Sequence, residues 1–249
     1  MNKVEKAISI EISQKKIATV LIFSALFFII SILLWIQKDI DNSVVIWSNY
    51  VYENESSLKF FKFISRFGMG IISLMYTILI LLSFKNKELG HIKTLFLFVI
   101  LTFAMSSVAG DLLKEVIGRS RPVVELSGKI MLKDISDTTS FPSGHATKSM
   151  GLALPFIIMA LNKGTITKIF KVLIFLFAIL VCYSRIALQK HFLSDVLAGM
   201  AIALFFVFVA IQVANYLYKR RNTDEIELSF LNKKLGFIFT GLAVLLCLI

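Results

Sequence analysis

The sequence predicts an all-α, polytopic membrane protein: a six transmembrane helix bundle with an additional short C-terminal hydrophobic helix. Three observations carry this. The chain is 57% hydrophobic and only 17% charged, whereas a soluble domain is nearer half apolar and a quarter charged. Its apolar residues gather in uninterrupted runs long enough to cross hydrocarbon. The basic residues behind its net charge of +11 lie mostly between those runs, where cationic loops hold the topology of a membrane protein.

Met1 to Lys16 is polar and of mixed charge; the apolar run after it is too long for a cleavable signal, and no small-residue cleavage site follows. A first span is expected from about Ile17 to Ile36. Lys38 to Lys62 sets Trp47, Tyr50 and Tyr52 beside Glu53 and Glu55, a mixture suited to the membrane–water boundary, and reads as an interfacial helix or loop. The second span is expected from Phe67 to Phe84, followed by a basic turn with Lys85, Lys87 and Lys93. The third runs from Thr94 to Leu113. A polar loop from Lys114 to Phe141 follows. The fourth span begins near His145 and ends near Leu161, and the fifth covers Ile169 to Cys182. The sixth runs from Leu193 to Tyr218.

After the charged segment Lys219 to Lys234 comes a last apolar run, Leu235 to Ile249. At about 1.5 Å per residue it covers roughly 22 Å, short of a hydrocarbon core of about 30 Å. It is expected not to make a full crossing. The whole chain, residues 1–249, reads as one integral-membrane domain with 219–249 as a peripheral tail. No internal repeat or low-complexity tract is visible.

More than half of the 27 Lys and Arg fall on one side of a six-span layout. That side holds both the N-terminus and the stretch after the sixth span, and reads as cytoplasmic. The same rule accounts for the positive net charge without nucleic acid as a partner. Cys182 and Cys247 lie inside apolar segments, far apart and without metal-ligand spacing, and read as inert buried thiols.

Three charged clusters fall on the opposite, outer side: Lys114 to Pro122, Phe141 to His145, and Ser184 to Asp195. Each lies at the end of a span, so helix packing brings them together. In the third, His191 and Asp195 are four apart and share a face if the segment is helical. An Asp that accepts one ring N–H leaves the other nitrogen's lone pair outward, as an activated nucleophile or base requires. Arg185 is a permanent cation able to hold an anion before it. In the second, Ser143 can cap the following helix and Gly144 leaves the backbone open, so the amides of the helix start point at an anion. His145, beside them, is placed to give or take a proton. Two His, one Asp and the cations Lys114, Arg121 and Arg185 suit phosphoryl transfer, which depends on positioning and on neutralising phosphate oxygens. No metal or other cofactor is expected.

Lys-x6-Arg-Pro at Lys114, Arg121 and Pro122, Pro-Ser-Gly-His at Pro142 to His145, and Ser-Arg-x5-His-x3-Asp at Ser184, Arg185, His191 and Asp195 resemble the three-part signature of the type 2 phosphatidic acid phosphatase superfamily. The resemblance covers Lys114 to Asp195 closely and the six-span layout more loosely. It implies that His191 attacks phosphorus to form a phosphohistidine, oriented by Asp195. It implies that His145 protonates the leaving oxygen and then activates water, while Lys114, Arg121, Ser143, Gly144 and Arg185 bind the phosphate. The substrate it implies is a lipid phosphate presented by the bilayer: a polyprenyl diphosphate, phosphatidylglycerophosphate, phosphatidic acid or a lipid A-type glycolipid. The expected location is the bacterial cytoplasmic (inner) membrane, N-terminus inside and site outside.

Outside the signature, Lys148 and Arg119 are candidate head-group contacts, and Asp111 is a candidate partner of Lys114. His91, in a short turn, reads as a solvated loop residue. Two other readings stay open: a transporter or flippase that uses the pocket only to bind a phosphorylated lipid, and a phosphotransferase whose acceptor is not water. Bound metal on His191, Asp195 and His145 is disfavoured by the neighbouring cations.

Overall fold

The computed structural model describes residues 14–86, 89, 91–132, 139–159 and 164–221, and within these it is helical throughout its regular elements. In chain order these are α1 (Gln14–Ile36), α2 (Lys38–Trp47), α3 (Asn49–Glu53), α4 (Glu55–Ser83), α5 (His91–Ile117), α6 (Pro122–Glu125), α7 (Gly144–Met159), α8 (Thr165–Ala187) and α9 (Leu193–Arg221). The C-terminal run Leu235 to Ile249 lies outside the described residues.

Among the described residues, four helical stretches are long and apolar enough to cross a membrane: Lys15–Ile36, Glu55–Lys85, Thr165–Ala187 and Leu193–Val213. Helices α5 and α7 pack among them, α5 against α7 and α9, and α7 against α8 and α9 as well. Large apolar side chains point outward from α1 and α8, among them Ile22, Ile29, Leu33, Val172 and Leu176. Such a belt is costly in water and suits lipid. Helix α7 is the opposite case. Ala146, Thr147, Ser149, Met150, Leu152, Ala153 and Phe156 are all buried, so it is surrounded by protein and uses small residues for close helix approach. Pro155 leaves the preceding turn of α7 one donor short; nearby, Tyr76 of α4 donates to the Leu152 carbonyl at 2.6 Å.

The Lys38 to Lys62 segment, expected as an interfacial helix or loop, is almost wholly helical. It forms α2, α3 and the first two turns of α4, which Asn54 caps by accepting from the Ser57 N–H at 3.1 Å. Helix α4 therefore begins at Glu55, three turns before the expected Phe67. Its start is polar, with Lys59 and Glu55 paired at 2.7 Å, and hydropathy registers only the apolar part beyond it. Helix α1 is fixed to α9 by two side-chain bonds to backbone carbonyls, Ser24 to Ala201 at 2.9 Å and Ser31 to Ser194 at 2.8 Å. Inside hydrocarbon such a hydroxyl finds no water and its bond sets helix register.

Candidate active site

The end of α5, the starts of α7 and α9 and the end of α8 meet at one end of the bundle. Helix α8 ends in a Schellman motif. The Gln189 N–H donates to the Ile186 carbonyl at 2.8 Å and the Lys190 N–H to the Arg185 carbonyl at 3.0 Å. Gln189 takes the left-handed conformation at φ 56°, where glycine is usual. The His191 N–H also reaches the Arg185 carbonyl, at 3.2 Å. One backbone cap thus fixes the nucleophile candidate relative to Arg185. The Gln189 side chain holds this turn in place. Its carbonyl accepts from the N–H groups of Met131 and Leu132 at 3.0 and 2.9 Å, and its amide donates to Asn49 Oδ1 at 2.6 Å.

His191 precedes α9 rather than lying on a helix with Asp195, yet the pairing is made. Its Nδ1 is 3.5 Å from Asp195 Oδ2 and 3.4 Å from Ser140 Oγ. Asp195 is the third residue of α9, and its Oδ2 accepts from the Phe192 N–H at 2.8 Å, half of a capping box. The same carboxylate accepts from Ser140 Oγ, and from Arg119 Nη1 at 2.8 Å. With Nδ1 turned to these groups, Nε2 is left for chemistry. Burial, then the charges of Arg185, Arg121 and Lys114, hold the His191 imidazole well below the usual histidine pKa. Both causes favour the neutral ring, which a nucleophile needs.

The three predicted clusters come together. Lys114, Arg121 and Arg185 all act on His191, and His145 lies within electrostatic range of Arg185, His191, Lys148 and Lys190. Arg121 is buried, its Nε donating to the Thr139 carbonyl at 3.2 Å. Arg185 is buried and donates to Ser65 Oγ of α4. The Ser143 N–H donates to the Asp195 carbonyl at 3.0 Å, which ties the start of α7 to α9. Ser143 Oγ is buried without a hydrogen-bond partner among the described residues, a polar group left for a ligand. Gly144 opens α7, with the nearest atom to a would-be Cβ 3.9 Å away.

One residue takes another place than expected. Arg119, read as a head-group contact, is buried between Asp195 and Asp41, its Nη2 3.0 Å from Asp41 Oδ2. Its guanidinium lies over the rings of Phe192 at 4.1 Å and Trp35 at 5.1 Å. Lys148 is partly exposed and pairs with Asp111 at 3.5 Å, where Lys114 was the expected partner of that acid. Sequence reasoning missed Asp41, Ser65 and Ser140. Ser140 is adjacent to the motif at Phe141, and Asp41 was one of four acids in a mixed segment where burial is invisible.

The model of the PAP2 superfamily matches residues 93–219. The chain is 24% identical over 151 residues to a protein named undecaprenyl-diphosphatase from Sulfolobus acidocaldarius, over 61% of this chain and 68% of that one. Its fold is similar to the crystal structure of the first transmembrane PAP2 type phosphatidylglycerolphosphate phosphatase from Bacillus subtilis. That match has a TM-score of 0.55 and 18% identity, over 84% of this chain and 98% of the other. The family match takes in more than half of the chain and all three clusters at the bundle end, and with the membrane-spanning helices it settles the family: the chain belongs to the PAP2 superfamily, as a multi-pass membrane phosphatase.

Proposed function

We propose that this chain hydrolyses the terminal phosphate of a lipid phosphomonoester or diphosphate through a phosphohistidine on His191. The observation that carries the reading is the setting of that ring, with Nδ1 against Asp195 and Ser140 and the cations Arg185, Arg121 and Lys114 around it. In the first step His191 Nε2 forms a bond to phosphorus. The P–O bond to the lipid breaks, and the leaving oxygen takes a proton from His145. In the second, His145 accepts a proton from water, the water oxygen attacks phosphorus and the N–P bond breaks. Inorganic phosphate leaves and His191 returns neutral. Lys114, Arg121, Arg185, Ser143 and the Gly144 amide bind the phosphate oxygens, supplying charge where it develops. Residues 1–249 act as one domain.

The lipid tail stays in the bilayer while the head group enters at the outer boundary. The orientation rests on the distribution of Lys and Arg, N-terminus inside, in a bacterial cytoplasmic membrane. The relative named undecaprenyl-diphosphatase makes polyprenyl diphosphate the first substrate to test, with phosphatidylglycerophosphate second. Phosphate release by purified protein in detergent tests the reading. His191→Ala should lower release at least ~10³-fold, the scale of nucleophile loss, with thermal unfolding unchanged. Turnover retained by His191→Ala, or abolished in the unaltered enzyme by a chelator, would overturn it.

A further inference from the structure

We propose that Asp41, on helix α2, is a positioning residue for this reaction: it shares the Arg119 guanidinium with Asp195 and so keeps the Asp195 charge directed at His191. The inference rests on the phosphohistidine reading above and names a residue that lies outside the three motifs.

Arg119 stands between two carboxylates. Nη1 is 2.8 Å from Asp195 Oδ1 and Nη2 is 3.0 Å from Asp41 Oδ2, and all three side chains are essentially inaccessible. An Arg119–Asp195 pair alone would be neutral and would offer little to a ring gaining positive charge. The second carboxylate brings the buried trio to net −1. Asp41 also accepts from the Ser194 N–H at 3.0 Å and from Ser194 Oγ, and Arg119 Nη1 donates to that hydroxyl at 2.6 Å. Asp41 thereby caps the first turn of α9 from another helix, one residue before Asp195. The rings of Phe192 and Trp35 on the guanidinium keep Arg119 from swinging aside. Asp39, two residues earlier, is exposed, so the arrangement belongs to Asp41 and not to acidity of α2 in general.

The balance matters because His191 is ringed by positive groups. Arg185 of α8, Arg121, and Lys114 at the end of α5 act on it directly, and His145 of α7 faces it with Lys148 and Lys190 nearby. Opposite stand Asp195 of α9 and, behind it, Arg119 and Asp41 of α2. When Nε2 bonds to phosphorus and the P–O electron pair leaves with the lipid oxygen, the ring retains Nδ1–H and carries +1. A trio at −1 offsets that charge and a neutral pair does not.

The test is a sign pattern in the titration of the His191 ring, read by NMR on the full chain in detergent. The chain has only three histidines, so selective labelling resolves each. Asp41→Asn preserves shape and takes the trio to zero, so the His191 midpoint falls. Across three contacts, on the order of 10 Å at an effective dielectric of about 20, the shift is roughly one pH unit. Arg119→Gln takes the trio to −2 and raises the midpoint. The double variant returns to −1 and to near the starting value. Asp41→Asn also lowers kcat about 10- to 100-fold, the scale for partners that orient an imidazole, with KM within twofold. A merely structural Asp41 would lower stability without reversing the sign between the two single variants. An active enzyme whose midpoint is unmoved by Asp41→Asn, or moves the same way in both single variants, overturns the role of Asp41 alone. Failure of the unaltered enzyme to release phosphate overturns the proposed reaction instead, since the titration needs no turnover.

Discussion

Replacing Gly199 with alanine tests whether the site depends on how closely α9 approaches the start of α7. Gly199 lies one turn beyond Asp195. A Cβ there would be 2.8 Å from the Ser143 carbonyl oxygen, 2.9 Å from Thr147 Oγ1 and 3.0 Å from Ala146 Cβ. Carbon–oxygen contacts settle near 3.3–3.6 Å, so α7 must retreat by about 0.5 Å. Neither nearby oxygen yields easily, because the Ser143 carbonyl accepts from both the N–H and the hydroxyl of Thr147 at 3.0 Å. Overpacking of this kind costs about 1–3 kcal/mol, and the better helix propensity of alanine offsets about 1 kcal/mol of it. The net loss, up to about 2 kcal/mol, shifts Tm by a few degrees. Activity should suffer more. A misplacement of about 1 Å can cost ~10²-fold in rate, so half of that predicts roughly a tenfold drop in kcat. Phosphate release and thermal unfolding in detergent measure the two effects. Gly151→Ala is the control: its Cβ would meet Ser106 Oγ at 2.6 Å and Phe103 Cα at 3.3 Å, deeper in the bundle. It should lower Tm with less effect on kcat. Full activity and unchanged Tm in Gly199→Ala would refute the argument, as would equal loss of kcat in both variants.

Two further outcomes follow from the geometry. Because burial and the surrounding cations lower the His191 pKa, the ring stays neutral as pH falls through about 6.5, the ordinary histidine value. The acid limb of kcat/KM should therefore lie below that value, and the limb of kcat higher, since bound phosphate offsets the cations. A pH–rate profile whose kcat/KM limb lies at or above ordinary histidine titration would contradict the assignment. Ser65→Ala removes the hydroxyl that accepts from Arg185 and should weaken inhibition by inorganic phosphate about tenfold while leaving the fold intact; unchanged inhibition would show that Ser65 does not anchor Arg185.

Much of the site was legible because its residues are few, charged and flanked by apolar runs. His191, Asp195, His145 and the cations meet where span ends were expected to meet. The helical spacing of His191 and Asp195 gave the right pair by the wrong local structure. The chain turns through Gln189 before α9 begins, and the cap of α9 brings Asp195 back to the ring. The start of α4 was missed because it is polar and stands clear of the apolar stretch. Asp41 and Arg119 were illegible in a different way. Their roles exist only through contacts about 80 residues apart along the chain, and a single sequence carries no mark of which acid on α2 turns inward.

Among the described residues after α6, the Gln189 side chain is met by the main-chain amides of Met131 and Leu132. Side-chain identity at Met131 and Leu132 is thereby released from the demands of His191, two residues beyond Gln189. Other side chains at these two positions leave the bonds in place, while proline at either, having no N–H to give, would unmoor the turn that carries His191.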